Sequence, residues 1–191
     1  MFDPFGNAVH ACSKVDLRGK RVAVLGCGPI GMFVILLAQA YGAAKVIAAD
    51  INKANLLTAK RLGAHVTIQA DAGLTKKIHE LTYGKGVDVA FEMAGPADSV
   101  NSAITITRSG GEVVLFGLKD GDFMISDFHR IVLKGLTLYG VIGRRIFGTW
   151  QTSQRVLSDK ANGIQDKIWR IILKQGKGTI LPMDTYTPER F

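Results

Sequence analysis

Six short apolar runs alternate with helical segments, and this alternation restricts the fold more than any other feature of the sequence. The predicted strands are residues Arg21–Leu25, Lys45–Ala49, His65–Ile68, Val87–Glu92, Glu112–Phe116 and Leu136–Tyr139. The predicted helices are residues Pro29–Tyr41, Lys53–Leu62, Leu74–Thr82, Ala97–Thr107 and about Thr149–Ser158, with an amphipathic helix before the first strand. Such apolar strands are typical of strands buried on both faces. We therefore predict an α/β fold, a doubly wound parallel sheet of Rossmann type in three αβα layers.

A glycine-rich turn lies between the first predicted strand and the first helix. Gly26, Gly28 and Gly31 have the spacing G-x-G-x-x-G. In this motif the first glycine permits a tight turn, the second permits close approach to a pyrophosphate, and the third lets the helix pack on the strand. Pro29 suits the first helical turn, whose free N–H groups can bind phosphate. The turn therefore predicts a dinucleotide site.

An aspartate ends the second predicted strand. Asp50 lies about 20 residues after the last glycine, the spacing expected of a carboxylate that binds the adenosine ribose. The same charge would repel a 2′-phosphate, so the sequence favours NAD over NADP. The alternative is an aspartate that caps a turn before Asn52. Lys53 is a candidate second ribose ligand, or an ordinary exposed lysine at the start of a helix.

Two further strand ends are candidates for the nicotinamide side. Phe116-Gly117-Leu118 and the segment from Gly140 to Gly143 follow predicted strands, so they would open at the carboxyl edge of the sheet. Their backbone groups could hold a carboxamide. The alternative is that each is only a buried strand that meets a turn.

The composition limits the class of partner. The net charge of +8 is spread along the chain, without a basic stripe interleaved with aromatic residues, which disfavours nucleic acid. No apolar run reaches the ~20 residues of a membrane span, and no leader peptide is apparent. Cys12 and Cys27 lie outside any CxxC pair, which is typical of a reducing cytoplasm and predicts no metal cluster.

Seven segments together resemble the cofactor-binding half of the zinc-containing medium-chain dehydrogenases. They are "DPFGNAVH", "GCGPIG", "AADINK", "GVDVAFEMAG", "RSGGEVVLFGL", "KGLTLYGVIGR" and "GRRIFGTW". The glycine turn and the Asp50 segment are shared across that superfamily. The first and last segments are most similar to the L-threonine 3-dehydrogenase family, with sorbitol dehydrogenases as the near competitor.

The resemblance implies roles for individual residues. It implies NAD contacts by Ile30, Asp50 and the position of Asn55, which departs from the arginine often found there. It also implies contacts by Arg144 and by the strand ends Phe116, Gly117, Leu118, Val141 and Ile142. Asp3 matches a carboxylate that lies beside the catalytic zinc in this family.

The same resemblance implies what this chain would lack. Residues 1–191 would be one NAD-binding domain with a core of about 18–145; residues 1–17 and 146–191 would be helical and lead to a missing GroES-like catalytic domain. The zinc ligands would belong to that domain, so we expect this chain to bind no zinc and to be inactive alone. The ending "TYTPERF" has a helix start without its helix, which also predicts a longer protein.

Substrate and assembly are expectations of the same kind. The full enzyme would oxidise a small alcohol, L-threonine or a polyol, and would be a homo-oligomer, either a dimer or a tetramer. A dinucleotide-binding module without catalysis and a methyltransferase with a similar glycine turn are the alternatives. Asp50 and the nicotinamide-side strand ends argue against the methyltransferase.

Overall fold

A computed structural model describes residues 2–122, 124–159, 161 and 163–168 of the chain. The strands are β1 (Arg21–Leu25), β2 (Lys45–Asp50), β3 (Val66–Gln69), β4 (Val87–Glu92), β5 (Thr107–Leu115) and β6 (Thr137–Gly140). The helices are α1 (Phe2–Cys12), α2 (Pro29–Ala40), α3 (Lys53–Arg61), α4 (Leu74–Leu81), α5 (Ala97–Ile106), α6 (His129–Leu133) and α7 (Ile146–Ser158).

The six strands form one parallel sheet with the order β3-β2-β1-β4-β5-β6. In the centre of the sheet, Val22 of β1 lies opposite Val46 of β2 and Val89 of β4. From β1 to β3 the chain adds strands towards one edge of the sheet, and from β4 to β6 it adds them towards the other edge. The carboxyl ends of β1 and β4 therefore lie side by side at a topological switch point, where ligands bind in this architecture. The predicted fold class is confirmed.

Helices cover both faces of the sheet because the strand side chains alternate between two apolar cores. Val22 and Val24 of β1 belong to the core beneath α1, α2 and α3. Ala23 and Leu25 belong to the core beneath α4 and α5. This burial on both faces explains why the central strands β1, β2 and β4 are mostly apolar. The two packed cores hold the ends of the strands in fixed positions.

The predicted helices and strands differ from the structure mainly at their ends. Strand β5 begins at Thr107 rather than Glu112, because α5 passes directly into the strand and the register of β4 with β5 shifts between Val87 and Val89. Helix α6 is absent from the prediction, and α7 begins three residues earlier than predicted. A further helical turn spans residues 164–168. The predicted feature "TYTPERF" lies outside the described residues.

Among the helices in the described part of the chain, none has the length and apolar character that a bilayer crossing requires.

Candidate dinucleotide-binding site

The strand ends meet in a row along the carboxyl edge of the sheet. The N–H of Met93 donates to the carbonyl of Leu25 over 2.8 Å, and the N–H of Val141 donates to the carbonyl of Leu115 over 2.9 Å. A Cβ on Gly26 would lie 3.0 Å from Ala94. An open cleft of about 670 Å³ lies over this edge, and its lining includes Gly26, Asp50, Ile51, Asp71, Ala94 and Pro96. The carboxyl ends of β1 and β2 therefore share one cleft.

The glycine turn leaves space on one side and none on the other. A Cβ on Gly28 would meet nothing within 4 Å, so the backbone is open to an incoming ligand there. A Cβ on Gly31 would lie 2.0 Å from the carbonyl oxygen of Gly26, so the start of the helix packs directly on the turn. Pro29 occupies the first position of α2, and no side chain caps that helix terminus. Such a terminus suits a pyrophosphate.

Asp50 connects the glycine turn to the start of α3. Its Oδ2 accepts the backbone N–H of Cys27 at 2.6 Å and the side-chain amide of Asn55 at 3.2 Å. Its Oδ1 accepts the N–H of Asn52 at 2.7 Å. A carboxylate offers about four acceptor positions, so one position on Oδ1 is left for a ribose hydroxyl. The predicted turn cap before Asn52 is therefore present, and it is compatible with ribose binding.

The environment of Cys27 makes its thiol unreactive. Burial, with a further contribution from the negative charge of Asp50, raises the pKa of the Cys27 thiol to about 12. A thiol with that pKa stays protonated near neutral pH, so it is a poor nucleophile and a poor metal ligand. Cys27 acts in the turn as a small buried side chain.

Carboxylates dominate the charge of the cleft. Asp50, Asp71 and Asp98 all line it. Asp71 forms an ion pair with Lys77 at 2.9 Å, and the hydrogen bond from that lysine lowers the pKa of the Asp71 carboxyl. Asp50 is only 8% exposed and forms no ion pair with a described residue, so its charge would oppose a second phosphate near the ribose.

Glu92 is a buried carboxylate that the sequence interpretation missed. Its side chain is 0% exposed, and Oε1 accepts the N–H groups of Ala94 and Gly95, each at 2.9 Å. Oε2 has no hydrogen-bond partner among the described residues. A Cβ on Gly117 would lie 2.6 Å from that oxygen. The signal was a glutamate that directly follows the apolar residues Val89, Ala90 and Phe91 at the end of the strand.

The nicotinamide-side candidates lie on adjacent strand ends but do not line the cleft. The N–H groups of Phe116 and Gly117 donate to the carbonyl of Glu92 at 2.9 and 3.1 Å. Leu118 is 81% exposed and Ile142 is 77% exposed, so both are accessible. The structure brings these segments to the expected edge.

Asp3 and Arg144 form an ion pair with each other. The guanidinium of Arg144 also lies 5.9 Å from the centre of the Trp150 ring. The first residues of α1 are thereby attached to the segment that follows β6. The candidate zinc-side carboxylate and the candidate cofactor arginine are neighbours.

The two remaining candidates, Lys53 and Ile30, do not line the cleft. Lys53 begins α3 and is exposed, and Ile30 in the first turn of α2 is partly buried against the core. The cleft also has a lining that was not predicted, and it consists of Ile51, Ala70, Asp71, Ala72, Leu74, Thr75, Ala94, Pro96, Asp98, Ser99, Asn101, Ser102, Thr105 and Ser126. These residues come from four separate segments of the sequence, so no local pattern connects them.

Comparison with known proteins agrees with this geometry. Residues 29–159 match the family model described as zinc-binding dehydrogenase. This chain belongs to the zinc-binding dehydrogenase family. The resemblance found in the sequence motifs is thus confirmed at the level of the family, and the chain corresponds to its cofactor-binding part.

Among curated members of the zinc-binding dehydrogenase family, an L-threonine 3-dehydrogenase from Chelativorans sp. (strain BNC1) is 40% identical over 151 residues. The match covers 78% of this chain and 44% of that relative. The chain therefore spans a little under half the length of the relatives it matches.

Two solved structures have the same fold as this chain. An alcohol dehydrogenase from Thermotoga maritima superposes with a TM-score of 0.79 at 21% identity, covering 88% of this chain and 47% of that one. A candidate zinc-binding dehydrogenase from Sinorhizobium meliloti 1021, bound to NADP, gives a TM-score of 0.74 at 28% identity. That match covers 81% of this chain and 46% of the other.

Proposed function

We propose that this chain is the NAD-binding domain of a zinc-dependent, L-threonine 3-dehydrogenase-like oxidoreductase that transfers hydride from a secondary alcohol to NAD. The observation that carries the proposal is the switch point, where the anchored carboxylate of Asp50 lines the cleft and the open backbone of Gly28 follows the neighbouring strand β1. The named relatives support the same activity.

The residues present fit a dinucleotide. The uncapped start of α2 would hold the pyrophosphate, and the free acceptor position on Asp50 would hold a ribose hydroxyl. When bound, the cofactor supplies a nicotinamide ring that accepts hydride. The chain itself binds and orients the two ends of the cofactor, the second end by Phe116–Leu118, Val141, Ile142 and Arg144.

NAD is proposed over NADP because of Asp50. A 2′-phosphate would bring at least one negative charge towards a carboxylate that has no cationic partner in the cleft. The Sinorhizobium meliloti protein was solved with NADP, so we propose that the charge of Asp50, rather than the fold, sets the preference for NAD in this chain.

Zinc does not fit the described residues. In residues 2–122, 124–159, 161 and 163–168 there is no group of three or more His, Cys, Asp or Glu side chains that could hold a metal ion. We therefore propose that the chain alone is inactive and that zinc is bound by a further, GroES-like catalytic domain. L-Threonine, or a similar small alcohol such as a polyol, would be the substrate of the complete enzyme.

The proposal extends to assembly and location. Strand β6 is an edge strand, and it would pair with a second copy of the chain in a homo-oligomer. Cys12 and Cys27 are both free thiols, which supports a cytoplasmic location.

Titration calorimetry with NAD⁺ and with NADP⁺ tests the proposed cofactor. We expect NAD⁺ to bind and NADP⁺ to bind at least about tenfold more weakly. Asp50→Ala should reduce NAD⁺ affinity about tenfold or more, because hydrogen bonds to a charged group are lost. Asp71→Ala is the control, since that carboxylate lines the same cleft but is already paired with Lys77.

Three outcomes separate the alternatives. Tighter binding of NADP⁺ would contradict the role given to Asp50. Equal loss in both variants would indicate a general charge effect rather than a ribose contact. Formation of NADH from L-threonine and NAD⁺ by the chain alone, with added Zn²⁺, would contradict the proposed inactivity.

A further inference from the structure

Helix α1 contacts the segment after β6 through three residues of one helix face. Asp3, Gly6 and His10 are spaced by three and four residues, which places them in one line along the helix. Asp3 pairs with Arg144, and a Cβ on Gly6 would lie 3.0 Å from Cδ of that arginine. Nδ1 of His10 lies 3.0 Å from the carbonyl oxygen of Gly143.

The buried imidazole of His10 is hydrogen-bonded through one of its two ring nitrogens. The ring is 8% exposed, and a carbonyl oxygen can only accept, so Nδ1 carries the hydrogen and donates it. Nε2 is buried and has no hydrogen-bond partner among the described residues. Burial of a polar ring with one nitrogen unpaired costs free energy. The bond to Gly143 is the contact that offsets this cost.

Gly143 controls the path of the chain after β6. It has a φ of +56°, the left-handed region that favours glycine. The preceding Val141 is fixed to β5 through its N–H, whereas Ile142 is exposed. The bond from His10 and the ion pair of Arg144 are thus the contacts that hold the far end of this segment.

We propose that His10 is a positioning residue for the nicotinamide end of the cofactor. By holding the carbonyl of Gly143, it keeps the backbone of Val141 and Ile142 in the conformation that receives the nicotinamide. This inference rests on the proposed function, because it requires the dinucleotide to lie across this edge. It adds a residue that the sequence motifs did not single out and that does not itself contact the cofactor.

The test compares two ligands that differ only in the nicotinamide. NAD⁺ and ADP-ribose share the adenosine and pyrophosphate contacts, so calorimetry with both isolates the nicotinamide end. We expect His10→Leu to weaken NAD⁺ binding roughly three- to tenfold, as for one lost hydrogen bond, and to leave ADP-ribose binding unchanged. His10→Asn, whose amide can donate from a position close to that of Nδ1, should restore most of the NAD⁺ affinity.

A second pair of variants tests the same segment without changing the buried ring. Gly143→Ala strains the segment directly, and Gly135→Ala is its control. Both glycines have a φ of +56°, and a Cβ on either would meet nothing within 4 Å, but Gly135 precedes β6. We expect selective loss of NAD⁺ affinity only in Gly143→Ala. If His10→Leu does not fold, the comparison of Gly143→Ala with Gly135→Ala still tests whether this segment positions the nicotinamide.

The outcomes distinguish this inference from the proposed function. If the parent chain binds ADP-ribose as tightly as NAD⁺, or if the variants weaken both ligands equally or neither, His10 has no positioning role and the dinucleotide site stands. If the parent chain binds neither ligand, both proposals are wrong.

Discussion

The backbone N–H of Cys27 donates a 2.6 Å hydrogen bond to Oδ2 of Asp50, which joins the glycine turn to the end of β2. The other carboxylate oxygen accepts the N–H of Asn52. Asp50 is therefore part of the architecture of the turn before any ligand is bound. Substitutions of this residue should affect folding as well as binding.

We predict that Asp50→Asn destabilises the fold although it preserves the shape of the side chain. Its NH₂ group would have to face either the buried N–H of Cys27 or the N–H of Asn52, so one of these two donors would lose its acceptor. The expected loss is about 1–3 kcal/mol of unfolding free energy, measured by urea denaturation. Asp71→Asn, an exposed carboxylate of the same cleft, should change it by less than about 0.5 kcal/mol. Equal midpoints for parent and Asp50→Asn would contradict this account.

The glycines of the turn should separate binding from stability. Gly28→Ala should leave the unfolding free energy nearly unchanged, because its Cβ meets open space, but it should reduce dinucleotide affinity because that methyl group would occupy the space before α2 that the pyrophosphate needs. Gly31→Ala should destabilise the fold by about 2 kcal/mol or more, because its Cβ would overlap the carbonyl of Gly26. Thermal unfolding and calorimetry on both variants check this.

The opposite pattern would overturn the assignment of the two glycines. If Gly28→Ala binds the dinucleotide as the parent does, the pyrophosphate lies elsewhere. If Gly31→Ala is as stable as the parent, the start of α2 has room to move away from the turn.

Glu92 should be critical for the two loops that it connects. Glu92→Leu would leave the N–H groups of Ala94 and Gly95 without their acceptor, which should cost at least about 2 kcal/mol of unfolding free energy. Glu92→Gln keeps one carbonyl oxygen for both donors and should cost less. The exposed Glu80→Leu is the control, and urea denaturation of the three variants gives the ranking. A Glu92→Leu variant as stable as the control would show that the loops keep their conformation without the hydrogen bonds to Glu92.

Asp88 should make the fold sensitive to acid. Its burial acts to raise the pKa of the carboxyl, but hydrogen bonds from Arg21 and Arg108 outweigh this effect and lower the pKa to about 2. A carboxyl whose pKa is depressed in the folded state stabilises the fold above its unfolded pKa, near 4, and this stabilisation is lost as the pH falls towards 2. Asp88→Asn should remove about 1–2 kcal/mol of the pH-dependent stability.

Denaturation of the parent and Asp88→Asn at several pH values between about 5 and 2 measures this contribution. The parent should lose more unfolding free energy over that window than the variant does. Parallel pH profiles would mean that the two arginines add no net stabilisation to the folded carboxylate. Dinucleotide binding at neutral pH should be similar in both, because Asp88 lies towards the start of β4, away from the carboxyl edge.

Much of the fold could be predicted because its determinants are local. The bounds of β1 and β4 agree with the prediction, and the start of α2 at Pro29 agrees as well. Burial on both faces requires apolar strands, and the close packing of the start of α2 on the preceding turn requires glycine at position 31. The position of Asp50 beside the glycine turn could be predicted as well, because both lie at the carboxyl ends of adjacent parallel strands of one βαβ unit.

The rest depended on segments that are distant in sequence. Residues 10 and 143 lie 133 positions apart, yet His10 and Gly143 share a hydrogen bond. Glu92 and Gly117 meet only because β4 and β5 are adjacent in the sheet. Period and motif thus determined the layers and the glycine turn, since those follow from neighbouring residues. Only the tertiary structure decided which distant backbone groups the buried polar side chains satisfy, because each such group takes the nearest partner that packing provides.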